Sequence, residues 1–368
     1  MNLPLLENQK GLAGKKVLLR LDLNVPIKDD QVVDDFRIRK ILPTLEWLHN
    51  TGARTIILSH LEGKGGDSLR PVWQELRKKF LISFSANFSE LAKNVSELEN
   101  GGFTFFENLR VDAGEKANDE NFAKKLASFG EIFVNEAFAV SHRAHASIVG
   151  LPKLLPSFAG PLFAEEVARL SGALKPARPA LFILGGAKFE TKLPLLKKFI
   201  GLYDAVFVGG ALANDFLKAQ GFDVGNSLVS KTPLDLSSLV KANLHLPTDT
   251  ITERKRIVDA GPKTLELLRK LVAQAQFILW NGPLGEYEVG FDAGTKNLAA
   301  IIAQSQVESV VGGGDTVAAI TALGLENKFS FVSTGGGAML DFLANETLPG
   351  IQSLLINKGL RFFGQSAV

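Results

Sequence analysis

The chain has 368 residues, which predicts two or three domains at roughly 150 residues per domain. Its hydrophobic content of 46% and charged content of 22% are ordinary for a globular protein and exclude a mainly disordered chain. The absence of cysteine excludes disulfides, thiol catalysis and cysteine-based metal sites, and a net charge of +2 is too small for a general binder of nucleic acid or membranes.

The first half of the chain contains short runs rich in Val, Ile, Leu and Phe that alternate with helical patterns. The predicted strands are residues 17–21, 55–58, 103–106 and 132–134. The predicted helices are residues 36–49, 72–80 and 122–129. Continuous apolar strands that alternate with amphipathic helices indicate a parallel sheet covered on both faces.

A stretch rich in proline and glycine, residues 150–161, predicts the boundary between two domains, residues 1–155 and 156–349. The predicted strands of the second half are residues 180–184, 205–208, 277–280, 309–311 and 329–332. The predicted helices there are residues 162–170, 192–202, 264–273 and 298–304. The fold class is therefore predicted as α/β, with two doubly wound parallel-sheet (Rossmann-like) domains joined by a hinge.

No membrane-spanning or targeting segment is apparent in the sequence. The longest stretch without a charge, residues 271–285, contains Gln, Asn and Pro and is shorter than the about 20 apolar residues that a spanning helix needs. The first ten residues contain no apolar signal-peptide core. We therefore expect a cytoplasmic protein without a membrane partner.

Glycine is in excess, and the excess lies at the strand ends of the second half. The 35 glycines in 368 residues compare with an average near 7% of a chain. Four clusters each follow a predicted strand: Gly185-Gly186, Gly209-Gly210, Gly312–Gly314 and Gly335–Gly337. Glycine lets the backbone approach a ligand, and a helix N-terminus attracts anions, so we predict a phosphate site at this edge. A tight turn between strand and helix explains any single Gly-Gly pair equally well.

The strand ends of the first half carry charged and polar side chains instead. They are Arg20, Asp22, Asn24, His60, Glu107, Asn108, Arg110, Asn135, His142, Arg143 and His145, with Arg37 near the start of a predicted helix. Arginine and histidine suit a small substrate that carries carboxylate or phosphate groups. Taken singly, each arginine is also explained as an ion-paired surface residue. A metal site at His142 and His145 lacks an obvious third ligand and is not predicted.

Together these two edges predict an enzyme that brings a nucleotide to a small acid. Phosphoryl transfer is the reaction that suits this layout, because it needs mainly positioning and positive charge from the protein. The sequence contains no G-x-x-x-x-G-K-[ST] and no H-R-D…D-F-G set, which excludes a Walker-type site and a protein kinase. It also lacks G-x-G-x-x-G at every glycine cluster, which disfavours a nicotinamide-dependent dehydrogenase.

Ten ordered motifs resemble the phosphoglycerate kinase family from near residue 10 to near residue 350. In the first half they are Arg20-Leu-Asp-Leu-Asn-Val-Pro26, Asp34-Asp-Phe-Arg-Ile38, Ser59-His-Leu61, Glu107-Asn-Leu-Arg110 and Ser141-His-Arg-Ala-His-Ala-Ser147. In the second half they are Leu184-Gly-Gly-Ala-Lys188, Asp259-Ala-Gly-Pro-Lys-Thr264, Trp280-Asn-Gly-Pro-Leu-Gly285, Gly312-Gly-Gly-Asp-Thr316 and Ser333-Thr-Gly-Gly-Gly-Ala338.

This resemblance implies reversible phosphoryl transfer between ATP and 3-phosphoglycerate, which gives ADP and 1,3-bisphosphoglycerate, with Mg²⁺. It implies a monomer whose N-terminal domain binds phosphoglycerate, whose C-terminal domain binds nucleotide, and whose hinge brings the two substrates together. It also implies that the C-terminal tail, about residues 350–368, packs back on the N-terminal domain. Nucleic acid is not an expected partner.

The resemblance further implies a role for individual residues. Phosphoglycerate contacts are expected from Asp22, Asn24, Arg37, His60, Arg110 and Arg143. Nucleotide contacts are expected from Gly185, Gly186, Lys188, Lys192, Gly209, Gly210, Asn281, Pro283, Glu288, Gly312, Gly313, Gly314, Asp315 and Thr316, with Glu288 at the ribose and Asp315 near the metal. The expected catalytic residues are Arg37, Lys188, Gly313 and Gly336. Independently, Lys188 and Lys192 are four residues apart and would share one face of a helix.

The sequence departs from the family pattern after His60-Leu61, where the family has Gly-Arg-Pro and this chain has Glu62-Gly63-Lys64. The substrate-binding arginine has become Gly63, and we predict that Lys64 supplies the positive charge. Other departures are Ala139-Val140, Glu286 and Phe331. They leave open a catalytically weak relative that acts as a nucleotide- or partner-binding protein.

Overall fold

The computed structural model describes residues 1–62, 68–187, 189–231, 236, 239 and 241–356. The predictions for Gly63, Lys64 and Lys188, and for the tail beyond residue 356, lie outside the described residues. The chain divides into two compact units. Unit 1 comprises Met1–Val167 together with the described residues from Thr347 onward, and unit 2 comprises Ala168–Glu346.

Unit 1 is built around a parallel sheet with helices on both faces. In chain order its elements are β1 (Lys16–Arg20), β2 (Ile27–Lys28), β3 (Gln31–Val32), α1 (Phe36–Asn50), β4 (Arg54–Leu58), α2 (Arg70–Leu76), β5 (Ile82–Ser85), α3 (Phe88–Ser96), β6 (Phe103–Phe106), α4 (Ala113–Ala117), α5 (Glu120–Ala127), β7 (Ile132–Asn135), β8 (Ser157–Ala159) and α6 (Pro161–Ala173). The strand order among the described residues is β5-β6-β4-β1-β7-β8, and all of these pairs are parallel.

Two apolar cores cover the two faces of this sheet. Leu19 of β1 and Ile57 of β4 lie in one core, whereas their neighbours Leu18 and Ile56 lie in the other. Successive side chains of a strand point to opposite faces, so strands buried on both sides need apolar residues at every position. This requirement explains the continuous apolar runs in the sequence.

Unit 2 repeats the architecture with different connections. Its elements are β9 (Ala180–Leu184), α7 (Phe189–Ile200), β10 (Ala205–Val208), α8 (Ala211–Ala219), β11 (Leu244–His245), β12 (Thr250–Glu253), β13 (Arg256–Ala260), α9 (Pro262–Gln274), β14 (Phe277–Asn281), α10 (Ala293–Ser305), β15 (Glu308–Gly312), α11 (Gly314–Ala322), β16 (Phe331–Val332) and α12 (Gly337–Asn345). The described strands of the parallel sheet have the order β11-β10-β9-β14-β15-β16, and β12 and β13 form an antiparallel hairpin. The predicted α/β class with two parallel sheets is confirmed.

Strand β8 lies inside the stretch 150–161 that the sequence suggests as the domain boundary. It pairs with β7 as the edge strand of the first sheet. The division between the units falls later, at Val167–Ala168 within α6. Glu136 holds the start of that helix, because its buried carboxylate accepts the N–H groups of Leu162 (3.1 Å) and Phe163 (2.9 Å). Burial raises the pKa of Glu136 to about 7.

The last described helix, α13 (Pro349–Ile356), packs on unit 1. Its residue Gly350 donates its N–H to Ser141 O at 2.9 Å, and Ile351 is fully buried. Among the described residues, no helix is long and apolar enough to cross a membrane.

Candidate active site

Arg37 is tied to the end of β1 by two contacts. Its Nη1 lies 2.9 Å from Asp22 Oδ2 and donates to Asn24 O at 2.9 Å. The fold places Arg37 in the first turn of α1, while Asp22 and Asn24 follow β1 directly. Three residues that the sequence predicts for one site are therefore brought together, with the guanidinium partly exposed at the edge of the sheet.

His60 follows β4 and contacts the buried guanidinium of Arg20. Arg20 Nη2 lies 3.1 Å from His60 Nδ1, and since a guanidinium only donates, Nδ1 must accept. Burial lowers the pKa of His60 well below its usual value, and the charges of Arg20, Arg110 and Arg37 lower it further. His60 is therefore neutral, with its proton on Nε2, where it can donate to an anion.

Arg110 and Arg143 converge on one carboxylate, that of Glu62. Oε2 of Glu62 contacts Nη1 of Arg110 and lies 3.0 Å from Nη1 of Arg143, and Oε1 lies 3.6 Å from Lys116 Nζ. Although burial raises the pKa of Glu62, hydrogen bonds from Arg143 and Arg110 and their charges lower it overall. The predicted arginines are therefore neighbours, and sequence reasoning missed both the carboxylate and Lys116.

Glu115, also missed by sequence reasoning, contacts Arg20, Ser147 and His145. It is fully buried in α4 and accepts Ser147 N (2.9 Å) and Ser147 Oγ (2.6 Å), and it lies 3.7 Å from Arg20 Nη2. His145 Nδ1 lies 3.9 Å from the same carboxylate. Burial lowers the pKa of His145 to about 4, with help from the charges of Arg110 and Arg20. His145 is therefore also neutral near pH 7.

In unit 2, the loops after β9 and β14 are bonded to each other through their backbones. Gly185 N donates to Asn281 O at 2.8 Å, and Gly186 N donates to Pro283 O at 2.9 Å. Lys192 lies in α7, and its buried Nζ donates to Gly185 O at 2.5 Å. The fold therefore brings the predicted Lys192, Asn281 and Pro283 together at one glycine turn.

Several glycines at this edge, Gly210 and Gly313 among them, hold conformations that other residues rarely adopt. Gly210, before α8, has φ +59° and ψ −157°, and a Cβ there would lie 2.6 Å from Gly186 N. Gly313, before α11, has φ +105°. Both are N-cap residues, as is Gly336 before α12. None of the three caps its helix with a side-chain hydrogen bond. All four glycine clusters lead into helices, so the backbone rather than side chains shapes this edge.

The first turn of α11 carries Asp315 and Thr316. Burial raises the pKa of Asp315, and the negative charge of Glu288 raises it further, while Lys192 opposes the shift. A carboxyl group that is exposed to the negative charge of another carboxylate favours a nearby cation. Thr316 is buried, and its Oγ1 accepts Gly282 N at 3.1 Å, so its hydroxyl supports the loop after β14.

A small cleft of mixed polar and apolar lining adjoins the glycines after β10 in unit 2. Gly209 and Gly210 form part of its lining with the apolar Leu217, Ile257 and Leu284, and polar side chains of Asn214, Thr250 and Asp259 also line it. The cleft and the glycine turns lie beyond the carboxyl ends of the strands, which is where open α/β sheets bind ligands.

Comparisons with known proteins cover nearly the whole chain. The family model described as phosphoglycerate kinase matches residues 7–346. A phosphoglycerate kinase of Leptospira biflexa is 40% identical over 392 residues, which cover 96% of this chain and 99% of that relative. One of Dictyoglomus turgidum is 40% identical over 382 residues, which cover 94% of this chain and 96% of that relative.

Solved structures agree with these relatives. The phosphoglycerate kinase of Coxiella burnetii matches with a TM-score of 0.81 and 37% identity, over 96% of this chain and 99% of that one. That of Pyrococcus horikoshii OT3 matches with a TM-score of 0.85 and 29% identity, over 97% of this chain and all of the other. With two parallel sheets, a basic edge in one unit and a glycine edge in the other, the chain belongs to the phosphoglycerate kinase family.

Proposed function

We propose that this chain catalyses the reversible transfer of a phosphoryl group between ATP and 3-phosphoglycerate, which gives ADP and 1,3-bisphosphoglycerate. Membership of the family supports the reaction. The structural observation that supports it most is the composition of the two strand-end edges. The arginines and neutral histidines of unit 1 suit a small acid, and the glycine turns of unit 2 suit a polyphosphate.

In unit 1, the substrate acid would be held by side chains that already point to one edge of the sheet. Arg37 would bind an anionic group of the substrate while Asp22 holds the guanidinium in place. His60 would donate from Nε2, and Arg110 and Arg143 would bind a second anionic group. Asn24 would act through its amide, which accepts Glu62 N at 3.0 Å. Lys64 would add a further positive charge.

In unit 2, the nucleotide would bind along the glycine edge. The base would lie beside Gly209 and Gly210 after β10, and Glu288 would contact the ribose. Lys188 and Lys192 would contact the phosphates, together with backbone N–H groups at Gly185, Gly186 and Gly312–Gly314. Asn281, Pro283 and Thr316 would keep these turns in place through the backbone contacts described above.

Asp315 fits the magnesium ion that accompanies the nucleotide. Among the described residues, no group of three or more His, Asp or Glu side chains forms a metal site. Mg²⁺ in nucleotide sites typically needs only one or two protein carboxylates, because phosphates and water supply the other ligands. Burial and the charge of Glu288 raise the pKa of Asp315, and Lys192 opposes this only in part, so a bound cation would stabilise the carboxylate. When bound, the ion would neutralise charge on the phosphates.

The chemical step needs no proton transfer. A carboxylate oxygen of 3-phosphoglycerate forms a bond to the γ-phosphorus of ATP, and the bond to the β–γ bridging oxygen breaks, which leaves ADP. Arg37 and Lys188 would stabilise the charge on the phosphoryl group in the transition state through their side chains. Gly313 and Gly336 would do so through their backbone N–H groups. We also propose hinge closure that excludes water, and a cytoplasmic monomer without a nucleic-acid partner.

A coupled assay with purified protein, ATP, 3-phosphoglycerate and Mg²⁺ tests this function. We expect ADP formation that requires the acid and stops when EDTA removes the metal. Absence of turnover, with ATP binding retained in a direct titration, would contradict the proposal and favour a nucleotide-binding protein. Tight binding of NAD in the same titration would favour a dehydrogenase instead.

A further inference from the structure

The anion site of unit 1 already contains an anion that belongs to the chain itself. The carboxylate of Glu62 contacts both Arg110 and Arg143, and Lys116 lies 3.6 Å from its other oxygen. Arg110 and Arg143 are the two arginines that the proposed function assigns to an anionic group of the substrate. Glu62 therefore makes the contacts that a bound carboxylate or phosphate would make.

Burial explains why the arginines hold a carboxylate here. The side chain of Arg110 is only 3% exposed, and burial lowers its pKa while the charge of Glu62 raises it again. A buried guanidinium without a counter-charge is costly, so Glu62 stabilises the site when no substrate is present. A second anion at the same guanidinium groups would be repelled by the negative charge of Glu62. It would also compete with Glu62 for the same N–H donors.

The two parts of Glu62 are held very differently. Its backbone N–H donates to Asn24 Oδ1 at 3.0 Å, which fixes the chain at this point. Its side chain is 44% exposed, so a rotation of the side chain alone would bring the carboxylate into water. The backbone can therefore stay in place while the carboxylate leaves the arginines.

We propose that Glu62 is an internal competitor that occupies the arginines in the free protein and is displaced by the phosphate group of the substrate. This inference rests on the proposed function for the identity of the substrate. A phosphate carries a charge near −2 and three strong acceptor oxygens. It therefore displaces the carboxylate of Glu62 more readily than a singly charged anion does. Glu62 thereby weakens the binding of anions to Arg110 and Arg143, and only an anion with enough charge, such as a phosphate, displaces it at ordinary concentrations.

Titration calorimetry with inorganic phosphate as the probe tests the competition without using catalysis. We expect E62Q to bind phosphate about tenfold more tightly than the unmodified protein, since the competing charge is lost. E62D keeps the carboxylate and should bind phosphate nearly as weakly as the unmodified protein. The matched control is E120Q, which removes the same charge from an exposed pair with Lys124 in α5 and should leave phosphate binding unchanged.

Steady-state kinetics then connect the competitor to the substrate. In E62Q, the KM for 3-phosphoglycerate should fall by about the same factor as the dissociation constant of phosphate, while the KM for ATP stays constant. A higher KM for 3-phosphoglycerate in E62Q would overturn the proposal, because Glu62 would then orient the arginines for the substrate. Phosphate binding that does not tighten in E62Q would overturn it as well, as would identical behaviour of E62Q and E62D.

The two measurements separate this proposal from the proposed function. If the protein has no kinase activity but E62Q binds phosphate more tightly and E62D does not, the competition stands and the proposed reaction fails. If the kinase is active and phosphate affinity is the same in all variants, the reaction stands and the competition fails.

Discussion

The carboxyl edges of the two sheets differ in what they present to a ligand. In unit 1 the edge consists of side chains, and four arginines contact carboxylates, in the pairs Arg37–Asp22, Arg110–Glu62, Arg143–Glu62 and Arg20–Glu115. In unit 2 the edge consists mainly of backbone, shaped by glycines that pack against neighbouring loops. The first edge depends on charge and the second on close approach, so different substitutions should damage them.

Removal of Arg20 should have the largest effect on stability, because its charge lies fully buried beside Glu115. We expect Arg20→Met to lower the free energy of unfolding of unit 1 by about 3–5 kcal/mol, since a buried carboxylate is left without its partner. Urea denaturation followed by circular dichroism measures this loss. The double variant Arg20→Met/Glu115→Gln should recover part of it. No recovery would mean that the charges do not depend on each other.

This pair also marks the limit of what the sequence could predict about the site. Arg20 was found at a strand end because the carboxyl ends of parallel strands meet at one edge of the sheet. Glu115 lies in a five-residue helix, α4, and no recognised motif surrounds it in the sequence. Only the folded chain brings its carboxylate next to Arg20. Glu62 was visible as a departure from the family pattern, but its contacts with Arg110 and Arg143 come from separate loops.

His145 should make the charged edge sensitive to acid. Its pKa in the folded chain is about 4 against an ordinary value of 6.5, so between these values the unfolded chain binds a proton that the folded chain does not. Stability contributed by neutral His145 is therefore present above pH 6.5 and is lost as the pH falls toward 4. The full effect is about 3 kcal/mol at 1.36 kcal/mol per pKa unit.

Urea unfolding of the unmodified protein and of His145→Gln across this pH range measures the effect. The difference between their free energies of unfolding should grow from pH 4 to pH 6.5 and then stay level. A difference that does not change with pH would show that His145 is protonated alike in the folded and unfolded chains.

Arg37 tests whether the charged edge acts in catalysis. We expect Arg37→Ala to lower kcat by at least about 100-fold, because removal of one donor to the developing charge typically has this effect. The matched control is Arg39→Ala on the same helix, which removes an exposed arginine paired with Asp35 and should keep kcat near normal. A near-normal kcat in Arg37→Ala would remove this residue from its proposed catalytic role.

Among the elements that the sequence did not predict are the two short strands at the edges of the first sheet. Strand β5 has the burial pattern buried, exposed, intermediate, buried, so it lacks the continuous apolar run of a central strand. Strand β8 has only three residues, in a stretch that proline and glycine made look like a linker. The central strands were found because both of their faces are covered. Phe329 and Ser330 lie outside β16, which begins at Phe331, so that predicted strand started two residues early.

Gly210 tests the glycine edge through backbone geometry. Its φ of +59° and the close approach of Gly186 N leave no room for a Cβ. We expect Gly210→Ala to lower the free energy of unfolding by about 1–3 kcal/mol and to weaken ATP binding, because the turn between β10 and α8 must shift. Gly172→Ala in α6 is the control, since a Cβ there meets nothing within 4 Å. Equal stability of the two variants would contradict the steric argument.

Gly314 gives the smallest and most selective effect. It is the first residue of α11, and a Cβ at this position meets no atom within 4 Å, so Gly314→Ala should leave the thermal unfolding midpoint unchanged. If the phosphates of ATP contact the backbone here, that same Cβ would hold them away and raise the KM for ATP several-fold. Gly172→Ala should change neither quantity. An unchanged KM for ATP in Gly314→Ala would mean that the glycines at the start of α11 serve only the turn, and the contrast between a charged edge and a backbone edge would then no longer describe how the two units bind their ligands.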